Sequence, residues 1–400
     1  MKKTKLFLLL IAMLSAIILT ACGGGEGGGG GGGGGAPSGP SGPTSVNLPE
    51  TGQTTCYNDA GAIIPCAGTG QDGELQRGVD WPSPRFTNNG NGTVTDNLTG
   101  LMWTQDANAP GPPICTPSVG KTWQNALNHV ACLNTNNYLG YTDWRLPNKK
   151  ELRSLIDYEE SDSATWLTNQ GFSNVQAGYL SSSSYAPDSS NAWGVRMSGG
   201  VYSTIKLTDV SFVWPVRAGG GVAQADLPKT GQTTCTNASG FFIPCAGTGQ
   251  DGELQRGVDW PSPRFTNNGN GTVTDNLTGL MWTQDANAPG PPICTPSVGK
   301  TWQNALNHVA CLNTNNYLGY TDWRLPNVNE LESLVNAEMS SSAIWLNSQG
   351  FSNVQAYLYW SSSTYAGGTS SAWNVYMYEG GVNADLKAYA GYVWPVRAGQ

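Results

Sequence analysis

Apolar residues recur at two spacings along this chain, and the spacings sort it into elements. After Thr122, the residues Trp123, Leu127, Val130 and Ala131 fall on one face of a helical period, which predicts an amphipathic helix. Asn148 and Glu151 stand at capping-box spacing ahead of Leu152, Leu155 and Ile156. Asn327 and Glu330 repeat that arrangement ahead of Leu331, Leu334 and Val335. Strand spacing appears at Thr93-Val94-Thr95-Asp96, which follows the turn residues Asn88-Asn89-Gly90-Asn91-Gly92 and precedes Leu101-Met102-Trp103, as a hairpin requires. The remaining strand candidates are short and separated by Ser, Gly and Asn loops. Helices and strands that do not alternate as βαβ units predict an α+β fold with mostly antiparallel strands and two short helices per domain.

Self-comparison gives the domain organisation. The stretch Ile64–Asn148 returns unchanged as Ile243–Asn327, a shift of 179 residues. Two tandem copies are expected, at 48–218 and 227–400, each of a size that holds its own core. The join at 219–226 is short and glycine-rich, so the expectation is two beads on a string.

Where the copies have diverged, the differences obey a period of two. Trp193, Val195 and Met197 match Trp373, Val375 and Met377, while Gly194, Arg196 and Ser198 have become Asn374, Tyr376 and Tyr378. In a strand this assigns the shared set to a buried face and the changed set to an exposed one. Two tyrosines in a row on a surface suit recognition better than solubility.

Residues 1–21 combine a basic start (Lys2, Lys3, Lys5), an apolar run from Leu6 to Leu19 and small residues before a cysteine, which is the pattern of a secretory signal peptide. Leu19-Thr20-Ala21-Cys22 resembles the bacterial lipobox, in which the cysteine is acylated and becomes the first mature residue. By that resemblance Cys22 anchors the chain to a membrane, and Gly23 after it favours the outer membrane. The rest of 22–47 is a Gly/Pro/Ser tether with nothing to bury. Removing the three leader lysines takes the formal charge from −8 to −11. An acidic chain without a basic run is a poor candidate for nucleic acid.

Without Cys22, eight of the nine cysteines remain, four per copy: Cys56, Cys66, Cys115 and Cys132, repeated as Cys235, Cys245, Cys294 and Cys311. In an exported protein such an even set implies disulfides. Four cysteines allow three pairings, of which local spacing favours Cys56 with Cys66 and Cys115 with Cys132. No Cys-x-x-Cys or paired-histidine spacing supports a zinc site instead.

A search for catalytic chemistry finds little. His129 and His308 are one position in two copies, on a predicted helix beside apolar residues. No nucleophile elbow, zinc-protease helix or phosphate loop is present. The turn from Asn88 to Asp96 has oxygen donors at alternate places, but one carboxylate is too few for a calcium loop. Asp72 and Glu74, with Asp251 and Glu253, read as solvated turns. Neither an enzyme nor a cofactor or metal site is expected.

The ordered motifs Gly92-Thr93-Val94-Thr95-Asp96 to Leu101-Met102-Trp103, Thr122-Trp123-Gln124-Asn125-Ala126-Leu127, Asp143-Trp144-Arg145-Leu146-Pro147-Asn148 and Val213-Trp214-Pro215-Val216-Arg217 resemble the C-terminal domain of the Legionella collagen-like adhesins. Tyr359-Trp360-Ser361-Ser362 and Val393-Trp394-Pro395-Val396-Arg397 close the same pattern in copy two. The resemblance implies an exported, lipid-anchored binding domain whose relatives bind sulfated glycosaminoglycans. This chain departs from it in lacking a collagen repeat and in being acidic. Asp-Trp-Arg-Leu-Pro is also similar to a stretch of C-type-lectin-like folds, which implies that fold class and no activity. The segment from Ala372 to Arg397 resembles the variable region of retroelement-diversified lipoproteins, which implies a displayed surface at Asn374, Tyr376, Tyr378, Asn383, Asp385 and Tyr389, with Arg196 its counterpart in copy one.

These readings converge on a disulfide-stapled lipoprotein of the outer membrane, displayed at the cell surface as an adhesin-like module. Its expected partner is a glycan or a host or envelope surface protein. The alternative is a structural or assembly protein of the cell envelope without a specific small ligand.

Overall fold

In the computed structural model, residues 45–399 are described, so the expected signal peptide, Cys22 and most of the expected tether lie outside the described part. Copy one runs β1 (Cys56–Tyr57), β2 (Ile63–Ile64), α1 (Asp72–Leu75), β3 (Phe86–Asn88), β4 (Thr93–Asp96), β5 (Leu101–Thr104), α2 (Trp123–Thr135), α3 (Lys149–Arg153), α4 (Ser163–Asn169), β6 (Gly178–Ser184), β7 (Asn191–Arg196), β8 (Val201–Ile205) and β9 (Val216–Ala218). Copy two repeats the order as β10 (Cys235–Thr236), β11 (Phe242–Ile243), α5 (Asp251–Leu254), β12 (Phe265–Asn267), β13 (Thr272–Asp275), β14 (Leu280–Thr283), α6 (Trp302–Thr314), α7 (Val328–Ser333), α8 (Ser342–Ser348), β15 (Leu358–Thr364), β16 (Ser371–Tyr376), β17 (Gly381–Leu386) and β18 (Val396–Ala398). The fold is α+β, and every ladder between its strands is antiparallel. Each copy carries the two expected helices at 123 and 149 and two further short ones at 72 and 163.

Three sheets build each copy: a two-stranded β1–β2 clip, a four-stranded sheet in the order β3-β4-β5-β9, and a three-stranded sheet β6-β7-β8. The last strand of the copy thus returns to its early hairpin and closes the domain. The β3–β4 turn is made as its sequence demands. Gly90 and Gly92 take φ of 73° and 84°, and Asn88 Oδ1 accepts the Gly90 N–H. Asp96 is fully buried, paired with Arg85 at 3.3 Å and accepting the Leu98 N–H, so its carboxylate serves the turn. Cys56–Cys66 and Cys115–Cys132 are the disulfides, repeated as Cys235–Cys245 and Cys294–Cys311, in agreement with the local pairing.

Helix α2 buries Trp123, Ala126, Leu127, Val130 and Leu133, while Ala131 faces outward. The Asp-Trp-Arg-Leu-Pro-Asn motif becomes the entry to α3. Asn148 and Glu151 form a reciprocal capping box, and Glu151 also receives Arg145 through two bonds of 2.6 Å. Arg217, from the closing motif, pairs with Asp143 at 2.7 Å and lies 3.9 Å over the Tyr141 ring. These motif residues hold the frame.

The two copies are not separate beads. The described residues of both copies form one compact unit, and one hydrophobic cluster runs through both copies. In it Tyr158 of copy one meets Trp373 of copy two edge-on, at 5.5 Å between ring centres. The first segment of each copy lies against the other copy. Val46 donates its N–H to Leu277 O and Ala225 donates to Leu98 O, the same contact with the roles exchanged. Gln53 exchanges two hydrogen bonds of 2.8 Å with the backbone of Thr364, and Gln232 does so with Ser184 at 2.8 and 3.0 Å. Asp72 accepts from Thr51 and, across the seam, from Ser363. Asp251 accepts from Thr230 at 2.7 Å and from Ser183 at 2.6 Å. Reciprocity of this kind is the signature of an isologous interface, here closed within one chain.

The seam also explains two departures from the sequence reading. Asp72 and Asp251 are buried rather than solvated, because the opposite copy supplies their donors. The serine run of β6, Ser181 to Ser184, is a wholly buried strand, although Ser-rich stretches are expected to be loops between strands. Ser183 reaches Asp251, and Ser184 receives the buried Lys206 ammonium at 2.7 Å. Burial pushes Lys206 down to about 7 and its counterpart Lys387 down to about 8.

A shared core predicts shared unfolding. Trp214 is fully buried against Trp103, Phe172 and Tyr179 in copy one. Trp214→Ala should cost about 3–5 kcal/mol and lower one calorimetric transition of the whole chain; a split into two transitions would contradict the interlock. The seam carboxyls add a pH dependence. Burial raises Asp72 from 3.8 to about 7 and Asp251 from 3.8 to about 6. A carboxyl raised in the folded state favours folding below its unfolded pKa, and that contribution is lost as pH rises through the folded value. The melting temperature of Asp72→Asn/Asp251→Asn, relative to the unaltered chain, should therefore climb as pH is raised from about 4 to about 7.5. A constant difference would show that these two groups do not titrate in the seam.

Candidate ligand surface

Copy two presents the more decorated outer face, on the sheet β15-β16-β17. On β16, Trp373 and Val375 point into the core, followed by Met377 beyond the strand end, as the shared pattern requires. The alternate set is not uniformly displayed. Asn374 is 0 % exposed, which corrects its assignment to a ligand face. The sheet is covered on both sides there, because α6 packs Trp302, Ala305 and Leu306 against Leu358, Trp360 and Ala372 on the second face. A period of two separates two faces of a strand, but it does not say that either is wet.

Further along the same face the sheet opens. Tyr376 is half-buried, with its hydroxyl 3.5 Å from Asp385 Oδ2, and Asn374 Nδ2 donates to that same oxygen at 3.0 Å. Burial and then the Asp385 carboxylate push the Tyr376 phenol up to about 12, so it stays a hydrogen-bond donor at ordinary pH. Asn383, the register partner of Asn374, is half-buried beside them. Tyr357 packs edge-on against Tyr376 at 5.8 Å and against Tyr392 at 6.2 Å. The structure thus brings together Tyr376, Asn383, Asp385 and the buried Asn374, and adds Tyr357 and Tyr392. These two were missed because they precede and follow the alternating strand, and only register places them on its face. Tyr378 and Tyr389 are 50 % and 53 % exposed, and no ring pair or hydrogen bond among the described residues joins their side chains to the Tyr376 group.

Copy one fills the same place differently. Tyr202 occupies the register position of Asn383 and folds over Gly194, so closely that a Cβ on Gly194 would lie 2.4 Å from the ring. Exposed Arg196 stacks 4.6 Å above Tyr202, whose hydroxyl meets Ser211 at 3.0 Å. The exchange of Gly194 and Tyr202 for Asn374 and Asn383 is therefore a coupled repacking. What differs at the surface is a cation over one ring in copy one and an acid-flanked tyrosine pair in copy two.

A second feature occurs in both copies. Beside Cys115–Cys132 lies a cleft of about 550 Å³ lined by Ile114, Val119, Lys121, Asn125 and His129. Its counterpart beside Cys294–Cys311, of about 460 Å³, is lined by Ile293, Val298, Lys300, Asn304 and His308. Ile114 and Ile293 are 75 % and 76 % exposed. His129 is buried, with both ring nitrogens 3.0 Å from backbone carbonyls, of Cys115 and Pro110. Burial depresses its basicity against the pull of those two acceptors, and the ring pins the disulfide loop to α2. His308 repeats the arrangement with Cys294 and Pro289. Among the described residues no group of three or more His, Cys, Asp or Glu is placed to hold a metal ion, and no helix is long and apolar enough to cross a membrane.

No curated protein and no solved structure matches the chain. A family model does, twice: that of the Lcl C-terminal domain matches residues 92–217 and 271–397, which together make up more than half of the sequence. The matched spans begin at the β4 and β13 hairpins and end on Arg217 and Arg397, the residues that close each frame against Asp143 and Asp322. The chain belongs to the Lcl C-terminal domain family, which it carries in two tandem copies.

Proposed function

We propose that this protein is an adhesin-like binding module, exported and held at the outer membrane through acylated Cys22, whose ligand is a surface glycan. The family supports the adhesin-like role at the coarser level, since the Lcl domain is a module of a surface adhesin. One observation carries the glycan reading: the Tyr357–Tyr376 pair stands at the surface beside Asp385 and Asn383. Aromatic faces stack on sugar rings, while carboxylate and amide groups take the ring hydroxyls. The carboxylate at that site and the acidic balance of the chain favour a neutral or amino sugar over a sulfated one. The role is binding, without catalysis, cofactor or nucleic acid. Because the copies are interlocked, their two unlike faces are held at fixed spacing, which suits a repetitive target.

A glycan array probed with residues 44–400 tests this reading. Saturable binding to one sugar class is expected, and Tyr357→Ala or Tyr376→Ala should weaken it by about tenfold or more, some 1.4 kcal/mol. Asp385→Asn should weaken it without changing the melting temperature. A blank array with folded, oxidised protein, together with one envelope protein that co-purifies stoichiometrically, would instead favour an assembly role.

A further inference from the structure

The contacts that join the two copies fall into two sets of unlike symmetry. The first set is the same from either side: Asp72 with Ser363 and Asp251 with Ser183, Gln53 with Thr364 and Gln232 with Ser184. Its members are present in both halves, so by themselves they would join two first copies, two second copies or one of each equally well. The second set is one-sided. Helices α3 and α7 occupy equivalent places, and at the 179-residue shift Lys149, Lys150 and Arg153 of copy one correspond to Val328, Asn329 and Glu332 of copy two.

These unlike residues meet. Glu332 lies 3.3 Å from Lys149 Nζ and 3.4 Å from Arg153 Nη1, with all three side chains almost completely buried. Burial opposes the ionisation of Glu332, yet Lys149, Lys150 and Arg153 together outweigh it and hold its carboxyl below the usual range. Lys149 also donates to Gly380 O of copy two, and Lys150 to Lys229 O. If a first copy faced another first copy, an arginine would stand where Glu332 stands, and six buried cations would have no carboxylate. If a second copy faced another, two buried carboxylates would have no cation. Removing one partner of a buried pair leaves an uncompensated charge, which is far more costly than the pair itself is stabilising. Tyr158, which stacks on Trp373 across the seam, is likewise replaced by Ala337 at the equivalent place.

We infer that the surface formed by α3 and α7 is a selective interface, on which a first copy recognises a second copy and rejects its own kind. The symmetric contacts supply adhesion between halves, and the Lys149–Lys150–Arg153 cluster with Glu332 supplies the choice. The partner this surface fits is therefore the other half, from the same chain when the 219–226 join allows it. The copies are thus complementary parts and not redundant ones.

The intact chain can be used for the test, by exchanging the two charge sets one side at a time and then together. Lys149→Val/Lys150→Asn/Arg153→Glu makes both sides second-type, and Val328→Lys/Asn329→Lys/Glu332→Arg makes both first-type. Each is expected to shift the unfolding equilibrium by about 100-fold or more toward the unfolded state, read from urea midpoints. The six-residue exchange restores one cationic and one anionic side and should return the equilibrium to within about tenfold of the unaltered chain, which is the non-additivity of coupled positions. If the six-residue variant is instead as damaged as the two triple variants combined, the residues act by local packing and the inference is wrong. Should neither triple variant fold, a folded six-residue variant with a near-normal midpoint still upholds it, and an unfolded one overturns it.

Discussion

Two carboxyl groups set the terms for this architecture. Asp72 and Asp251 each sit buried at the start of a four-residue helix, and a buried carboxyl is tolerable when hydroxyl or amide donors surround it. One donor for each comes from its own copy. The other comes from a serine on the first strand of the opposite copy's three-stranded sheet, β15 or β6. A copy standing alone would therefore keep a half-satisfied acid, and it would expose a strand of four serines with no purpose in water. Joining the copies resolves both deficits at once, and the arms at 45–79 and 225–258, the buried lysines and the common core follow from that closure.

Much of the frame was legible in the sequence, because it rests on local rules. The capping boxes at Asn148 and Asn327, the Asn/Gly turn before Thr93, the face of α2 and the disulfide pairing all depend on residues a few places apart. The seam was not legible, for a physical reason. Ser181-Ser182-Ser183-Ser184 has the composition of a loop, and Asp72-Gly73-Glu74 that of a solvated turn. Each changes character when a partner some hundreds of residues away, or 68 residues away for Ser183 and Asp251, supplies hydrogen bonds. The repeat itself also misled: near-identical units joined by glycines suggest independence, whereas identical surfaces are equally what a two-fold interface needs.

The same limit applies to the outer face of copy two. Alternation identified Trp373, Val375 and Met377 as core, yet it placed Asn374 outside, where α6 in fact covers the sheet. The substitutions between copies are now seen to be of two kinds. Gly194 with Tyr202 against Asn374 with Asn383 is a compensated exchange of volume, which leaves the backbone register alone. Arg196 against Tyr376 changes what a ligand would meet. Both kinds follow the same alternation along the strand, so a comparison of sequences cannot separate the two.

The exchange of first segments has a mechanical consequence. The backbone entering at residue 45 is hydrogen-bonded at Val46 to Leu277, in copy two, before the chain reaches the core of copy one. Tension applied from that end is thus handed to the far half first, and from there through the seam to the near half. The load is shared by the arm's hydrogen bonds to the far half, from Val46 to Leu277 and from Gln53 to Thr364, before it reaches the core of the near half.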